Sequence, residues 1–147
     1  MPPAASDPNA RALRSLWLAI TVSAALVLVF MGALVLGQPA RSPGWPFYLN
    51  ALLNIGAIAG AFAVQRRLDE RLPEAGSRAR AGALVRAHAL LSLGLMEASV
   101  LAAAVIAYLT GDAMNLAFAA PFFAFAWLFW PSDARYAGWM ARAGARD

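Results

Sequence analysis

Long apolar runs alternate with short polar breaks along this chain, and the lengths of the runs decide how they are read. Four stand out, at about 14–36, 47–65, 84–109 and 113–130. Each approaches or exceeds the ~20 residues with which an α-helix crosses ~30 Å of hydrocarbon. The pattern predicts an all-α polytopic membrane protein: one domain, 1–147, of four transmembrane helices in an antiparallel up-down bundle. Leu16 to Leu36, behind Arg11 and Arg14, has the basic front of a secretory signal. Its length exceeds the about 7 to 15 residues of a signal core, so it is expected to be a retained span.

The breaks fix the turns. Gly37 to Pro46 holds three prolines and two glycines, which end one helix and begin the next, with Trp45, Phe47 and Tyr48 where an aromatic belt lies. Thr110-Gly111-Asp112 between two apolar runs predicts a hairpin, with Gly111 closing one helix and Asp112 capping the next. Pro121 should kink the fourth span and Pro131 should stop it. Met1 to Asn9 is expected to be disordered, and 66–83 to be a polar cytoplasmic loop. In the tail, 132–147, a helix would align Arg135, Arg142 and Arg146 beside an apolar stripe of Tyr136, Trp139, Met140 and Ala143. That is the pattern of a short interfacial helix.

Composition agrees with the pattern. The chain is 61% hydrophobic and 14% charged, with a mean hydropathy of +0.59, outside the range of water-soluble domains. There is no cysteine, and all twelve basic residues are Arg, which reads as compositional bias because they do not converge on one site. Their distribution is informative. Only Arg41 falls on the side opposite the N-terminal tail, the long loop through Arg86 and the C-terminal tail. The positive-inside rule then places both termini in the cytoplasm, and the protein as a multi-pass component of the bacterial cytoplasmic (inner) membrane.

Candidate chemistry is sparse. Glu97 is an acid in the middle of the third run, where a charge costs about 2.5 to 3.5 kcal/mol and the neutral acid is the cheaper form. At 100° per residue its face also carries Arg86, Leu90, Leu93, Leu101, Ala104 and Tyr108, while His88 points away. Asn50 and Asn54 share a face of span two. Asn54 lies eleven residues from Gln65, as Glu97 lies eleven from Arg86, which predicts that Asn54 and Glu97 meet at one depth. Gly56 and Gly60, with Ala57, Ala61, Ala59 and Ala63, make small-residue frames that let another helix approach. Glu97, Asn54, Asn50 and Tyr108 are therefore the candidate intramembrane polar site.

One histidine without cysteine predicts no metal site and no cofactor. No set of converging polar groups suggests an enzyme, and nothing suggests nucleic acid. The expected partners are the lipid bilayer and either further copies of the chain or another membrane protein. Two functions fit. One is a non-enzymatic structural, assembly or interaction component, in which neutral Glu97 holds helices in register. The alternative is a proton- or cation-handling element, in which Glu97 titrates.

The stretch Arg86 to Gly111, with Leu95-Met96-Glu97-Ala98 and then Ala-Tyr-Leu-Thr-Gly, together with Trp130-Pro131, resembles a family of small four-helix bacterial integral membrane proteins of uncharacterised function. The resemblance implies a fold and a recurring acid, and no activity. A weaker similarity is to the proteolipid c subunit of rotary ATPases, a helical hairpin with an ion-carrying carboxyl in its second helix. This chain lacks that family's alternating glycines in span two and its Arg-Gln-Pro loop.

Overall fold

The computed structural model describes residues 7–39 and 44–144. The expected disorder of the first residues falls in part, and the placements of Arg41 and Arg146 fall wholly, outside them. Five α-helices follow one another: α1 (Pro8–Val35), α2 (Trp45–Arg71), α3 (Arg78–Thr110), α4 (Ala120–Leu128) and α5 (Asp133–Arg142). A 3₁₀ turn, Leu72–Glu74, follows α2, and a 3₁₀ helix, Ala113–Ala119, precedes α4. There is no strand among the described residues. Three helices are long and apolar enough to cross a membrane, or four crossings result if Ala113–Leu128 and the α5 segment, bent by 70°, count as one. The outer surface supports a membrane setting. Leu26, Val29, Phe30, Leu52 and Ile55 are 63% to 72% exposed, large apolar side chains that water would penalise.

α1 begins six residues earlier than the apolar run predicts. The Asp7 side chain accepts from the Asn9 N–H at 2.8 Å, and Pro8 stands at the first helical position, where its missing N–H costs nothing. The apolar pattern starts later because this first part of the helix packs on protein rather than lipid: Ala10, Leu13 and Trp17 are buried.

The region expected to be a polar loop, 66–83, is mostly helical. α2 continues to Arg71 and α3 starts at Arg78, leaving only a short turn with Gly76 in the left-handed region at φ 70°. Arg66 pairs with Glu70 one turn on, at 3.0 Å, and Leu68 and Leu72 are fully buried on the inner face. Amphipathic helix rather than loop is what that spacing encodes. Pro73 and Gly76 end it, and Ser77 caps α3 by accepting the Arg80 N–H.

α5 exists, with Ser132 as its N-cap. Its apolar stripe does not lie in lipid, which corrects the interfacial expectation. Tyr136 and Trp139 are 3% and 5% exposed, packed under the other helices, and a Cβ on Gly82 of α3 would stand 3.4 Å from the Tyr136 hydroxyl. Burial holds the Tyr136 phenol above its ordinary pKa. Ion pairs bind this end of the molecule together: Arg14 to Asp133 at 2.8 Å, Arg142 to Asp69 at 3.1 Å and Arg78 to Asp7 at 3.4 Å. Arg86 Nη1 also donates to Asn9 Oδ1 at 2.9 Å.

α3 is central, packing on α1, α2, α5 and the Ala113–Leu128 segment. Its largest interface is with α2, where Gln65 Nε2 donates to Ser92 Oγ at 3.1 Å and a Cβ on Gly60 would meet Leu95 at 3.4 Å. Of the small-residue frames, Ala61 and Gly60 face α3, while Gly56, Ala59 and Ala63 are exposed. Gly111 closes α3 at φ 65°, and Asp112 caps the next segment by accepting the Met114 N–H, as the hairpin pattern predicts.

The expected mid-span kink at Pro121 takes another form. Proline cannot donate to the Ala117 carbonyl four residues back, and its ring would clash with it. That carbonyl instead accepts from Ala120, three residues on, so the segment stays 3₁₀ up to Ala119 and becomes α-helical as Pro121 enters. The stop at Pro131 follows the sequence pattern: α4 ends at Leu128, and Pro131 separates it from α5.

Candidate functional site

Asn50 and Asn54 do share one buried face of α2, but Asn54 bonds to Asn50, and it is Asn50 that reaches the Asp112–Asn115 turn. Asn54 Nδ2 donates to the Asn50 carbonyl and to Asn50 Oδ1, both at 3.2 Å. Asn50 Nδ2 donates in turn to the Asn115 carbonyl at 3.2 Å and to Asn115 Oδ1 at 3.1 Å. Asn115 Nδ2 donates to the Asp112 carboxylate at 3.2 Å. The result is a directional ladder in which each amide nitrogen gives to the next oxygen, from Asn54 to a carboxylate. Asn50, Asn54 and Asn115 are 0%, 3% and 1% exposed. Amides neither release nor take up protons near neutral pH, so the rungs that fasten α2 to the segment after α3 are neutral, and the one ionisable group is Asp112 at the end of the ladder, 7% exposed.

The ladder has an open end. Asn54 Oδ1 is buried and lacks a hydrogen-bond partner among the described residues, which costs about 1 to 3 kcal/mol if nothing fills the role. At the other end lies a cleft of about 280 Å³, lined by Phe47, Thr110, Asp112 and Asn115 among others. Both oxygens of Asp112 are engaged, one by the Met114 N–H at 3.0 Å and one by Asn115. Asp112 therefore acts as cap and anchor.

Glu97 stands apart from this ladder, and the expected meeting with Asn54 does not occur. Ser92 and Leu95 face α2, and Glu97 is rotated about 140° from the first and about 160° from the second around α3. The depths differ as well. Gln65 pairs with Ser92 rather than with Arg86, so counting from the ends of the apolar runs misaligned the helices. In the observed register Asn54 lies about 6 to 9 Å beyond Glu97 along the axis, at ~1.5 Å per residue.

Glu97 instead occupies the margin of the buried face of α3. Leu93 and Ala104, on one side of it, are 0% and 1% exposed, whereas Leu101 and Tyr108, on the other, are 43% and 48% exposed. The side chain is half-buried, and among the described residues it makes no hydrogen bond or ion pair. Tyr108 is thus an exposed neighbour along the same stripe and no part of the amide ladder. His88, whose ring nitrogen Nδ1 lies 2.9 Å from the Leu84 carbonyl, is engaged within its own helix.

Asn115 was the residue that sequence reasoning missed. Its signal was available: an amide in an apolar run, three residues after a capping acid and across the hairpin from the start of α2, where Asn50 lies. The Gln65 to Ser92 bond is hard to foresee, because the polar stretch that starts at Arg66 reads as a loop. No group of three His, Cys, Asp or Glu able to hold a metal ion occurs among the described residues. Compared with models of protein families, with curated proteins and with solved structures, the chain matches none.

Proposed function

We propose that this chain is a four-span component of the bacterial cytoplasmic membrane, with both termini in the cytoplasm, that acts without catalysis as an interaction or assembly subunit. The observation that carries this reading is Glu97: an acid at mid-span on the outer margin of α3, with no partner of its own among the described residues. A polar group in hydrocarbon gains most from a neighbouring helix that can hydrogen-bond it. Leu101 and Tyr108, exposed along the same stripe, extend the surface that such a helix would cover. The partner is a second copy of the chain or another membrane protein.

The ion-handling alternative is less well supported, because the polar ladder that enters the interior ends at Asn54, on the other side of α3 from Glu97. Orientation rests on the Arg-rich end, where the start of α1, the turn between α2 and α3, and α5 are tied together. A reporter fused after Asp147 should be active only in its cytoplasm-sensing form. For the interaction itself, a photo-crosslinker in place of Leu101 should give, in native membranes, an adduct heavier than the chain. Glu97→Ala should reduce that adduct several-fold, and Glu97→Gln, which keeps a donor, should preserve it. Absence of any adduct, or an adduct indifferent to Glu97→Ala, would overturn the reading.

A further inference from the structure

We infer that the groove between α1 and α4, closed at one end by Arg135, is a binding site for an anionic phospholipid. Its volume is about 770 Å³, within the roughly 300 to 1,000 Å³ range of small-molecule sites. Its two ends differ in chemistry. Leu18, Phe123 and Trp127 supply an apolar channel, and Ser132 and Arg135 lie at the other end, beside the layer where Arg14 pairs with Asp133. An apolar groove with a cation in its wall matches an amphiphile with a negative head.

Arg135 is fixed and yet incompletely used. Nη1 donates to the carbonyls that end α4, those of Leu128 and Trp130, and the guanidinium carbon stands 5.7 Å from the centre of the Phe129 ring. Among the described residues it has no carboxylate partner, unlike Arg14, Arg66 and Arg142. A guanidinium has five N–H donors, so those on Nε and Nη2 remain for a phosphate, which Arg binds in planar, bidentate fashion. The Ser132 oxygen accepts the Arg135 backbone N–H at 3.2 Å, which leaves its own O–H to donate. Thr21, also in the wall, spends its hydroxyl on the Trp17 carbonyl at 2.9 Å, so the channel below the head stays apolar.

The test is native mass spectrometry of the full chain in detergent, offered equimolar phosphatidylglycerol and phosphatidylcholine with the same acyl chains. Phosphatidylglycerol adducts should exceed phosphatidylcholine adducts roughly fivefold, the ratio equivalent to about 1 kcal/mol for one basic residue at an anionic surface. Arg135→Gln, which retains donors for the α4 carbonyls, should bring the ratio close to one. Thr21→Phe, which fills the channel and leaves Arg135 in place, should lower both adducts, and it decides the matter if Arg135→Gln loses helicity. A wild-type ratio near one, a ratio unchanged in Arg135→Gln, or full lipid retention by folded Thr21→Phe would overturn the inference. So would displacement of the lipid by inorganic phosphate at equal concentration, which would mark a site for a soluble anion.

Discussion

The two ends of this molecule satisfy their polar groups by opposite means. At one end four segments distant in sequence are joined by Arg–carboxylate pairs, all with at least one partner substantially exposed. At the other, three asparagines pass hydrogen bonds from α2 to the turn after α3, almost wholly buried. The difference follows from the solvent. Charges are inexpensive where water can still reach them and contribute little individually. Inside, a neutral amide that is both donor and acceptor meets the hydrogen-bonding demand without the desolvation cost of an ion. The charged end gains its strength from what lies beneath the ion pairs, namely Leu13, Trp17, Leu72, Tyr136 and Trp139.

If that contrast is right, the largest effect at the charged end should come from an apolar substitution. Trp139→Ala should destabilise the protein by about 3 kcal/mol, the scale of an aromatic deletion from a core, read by unfolding in mixed detergent micelles. A smaller loss would mean that α5 rests on the surface rather than beneath the bundle. Next comes the ladder. Asn50→Leu removes the central rung, leaves Asn115 Oδ1 without its donor and Asn54 with only the residue-50 backbone carbonyl, and should cost about 2 kcal/mol. Replacing Asn50 and Asn54 together by Leu should cost less than the single change, because Asn54 is then not left half-paired, while Asn115 keeps its bond to Asp112.

Asp7 gives an intermediate effect and a pH signature. Its carboxyl is held below the ordinary value of 3.8, chiefly by the Asn9 backbone N–H and further by Arg78, with burial opposing. A depressed folded value means that the stabilisation is fully present above the unfolded pKa and is lost as pH falls through the folded one. Acidification below about pH 4 should therefore loosen the start of α1, with hydrogen exchange rising at Asn9 to Arg11 first. Asp7→Ala should cost about 1 kcal/mol, as for a lost N-cap, and abolish that acid dependence. The smallest effect belongs to Arg142→Ala, which breaks a pair whose partners are both more than half exposed. It should change stability by about 0.5 kcal/mol or less, and a value above about 1.5 kcal/mol would end the distinction between the two layers.

The apolar runs revealed the long helices because burial in lipid leaves an unambiguous record in hydropathy. They did not reveal where helices continue beyond the lipid. Arg66 to Arg71 reads as loop when scanned for hydropathy and as helix when Leu68, Leu72 and the Arg66–Glu70 spacing are followed instead. Asn50 and Asn54 were recognisable because two amides four apart on one face have no reason to be in an apolar helix unless they are bonded. Which group they meet depends on register, and register was set by Gln65 and Ser92, residues that attract no notice alone. Glu97 was conspicuous for its cost, yet its side of α3 depended on the rotation of the whole helix, which only the packing of its neighbours fixes.

The 3₁₀ helix before Pro121 also alters reach. If Ala113–Leu128 is the fourth crossing, as proposed above, its sixteen residues would extend only ~24 Å as a continuous α-helix, at ~1.5 Å per residue. Seven of them wound as 3₁₀ rise ~2.0 Å each, so the segment lengthens to ~27.5 Å. That brings it near the ~30 Å hydrocarbon layer, where a shorter segment would have to thin the bilayer around it. On that reading, the 3₁₀ winding ahead of Pro121 fits a short segment to the thickness of the membrane.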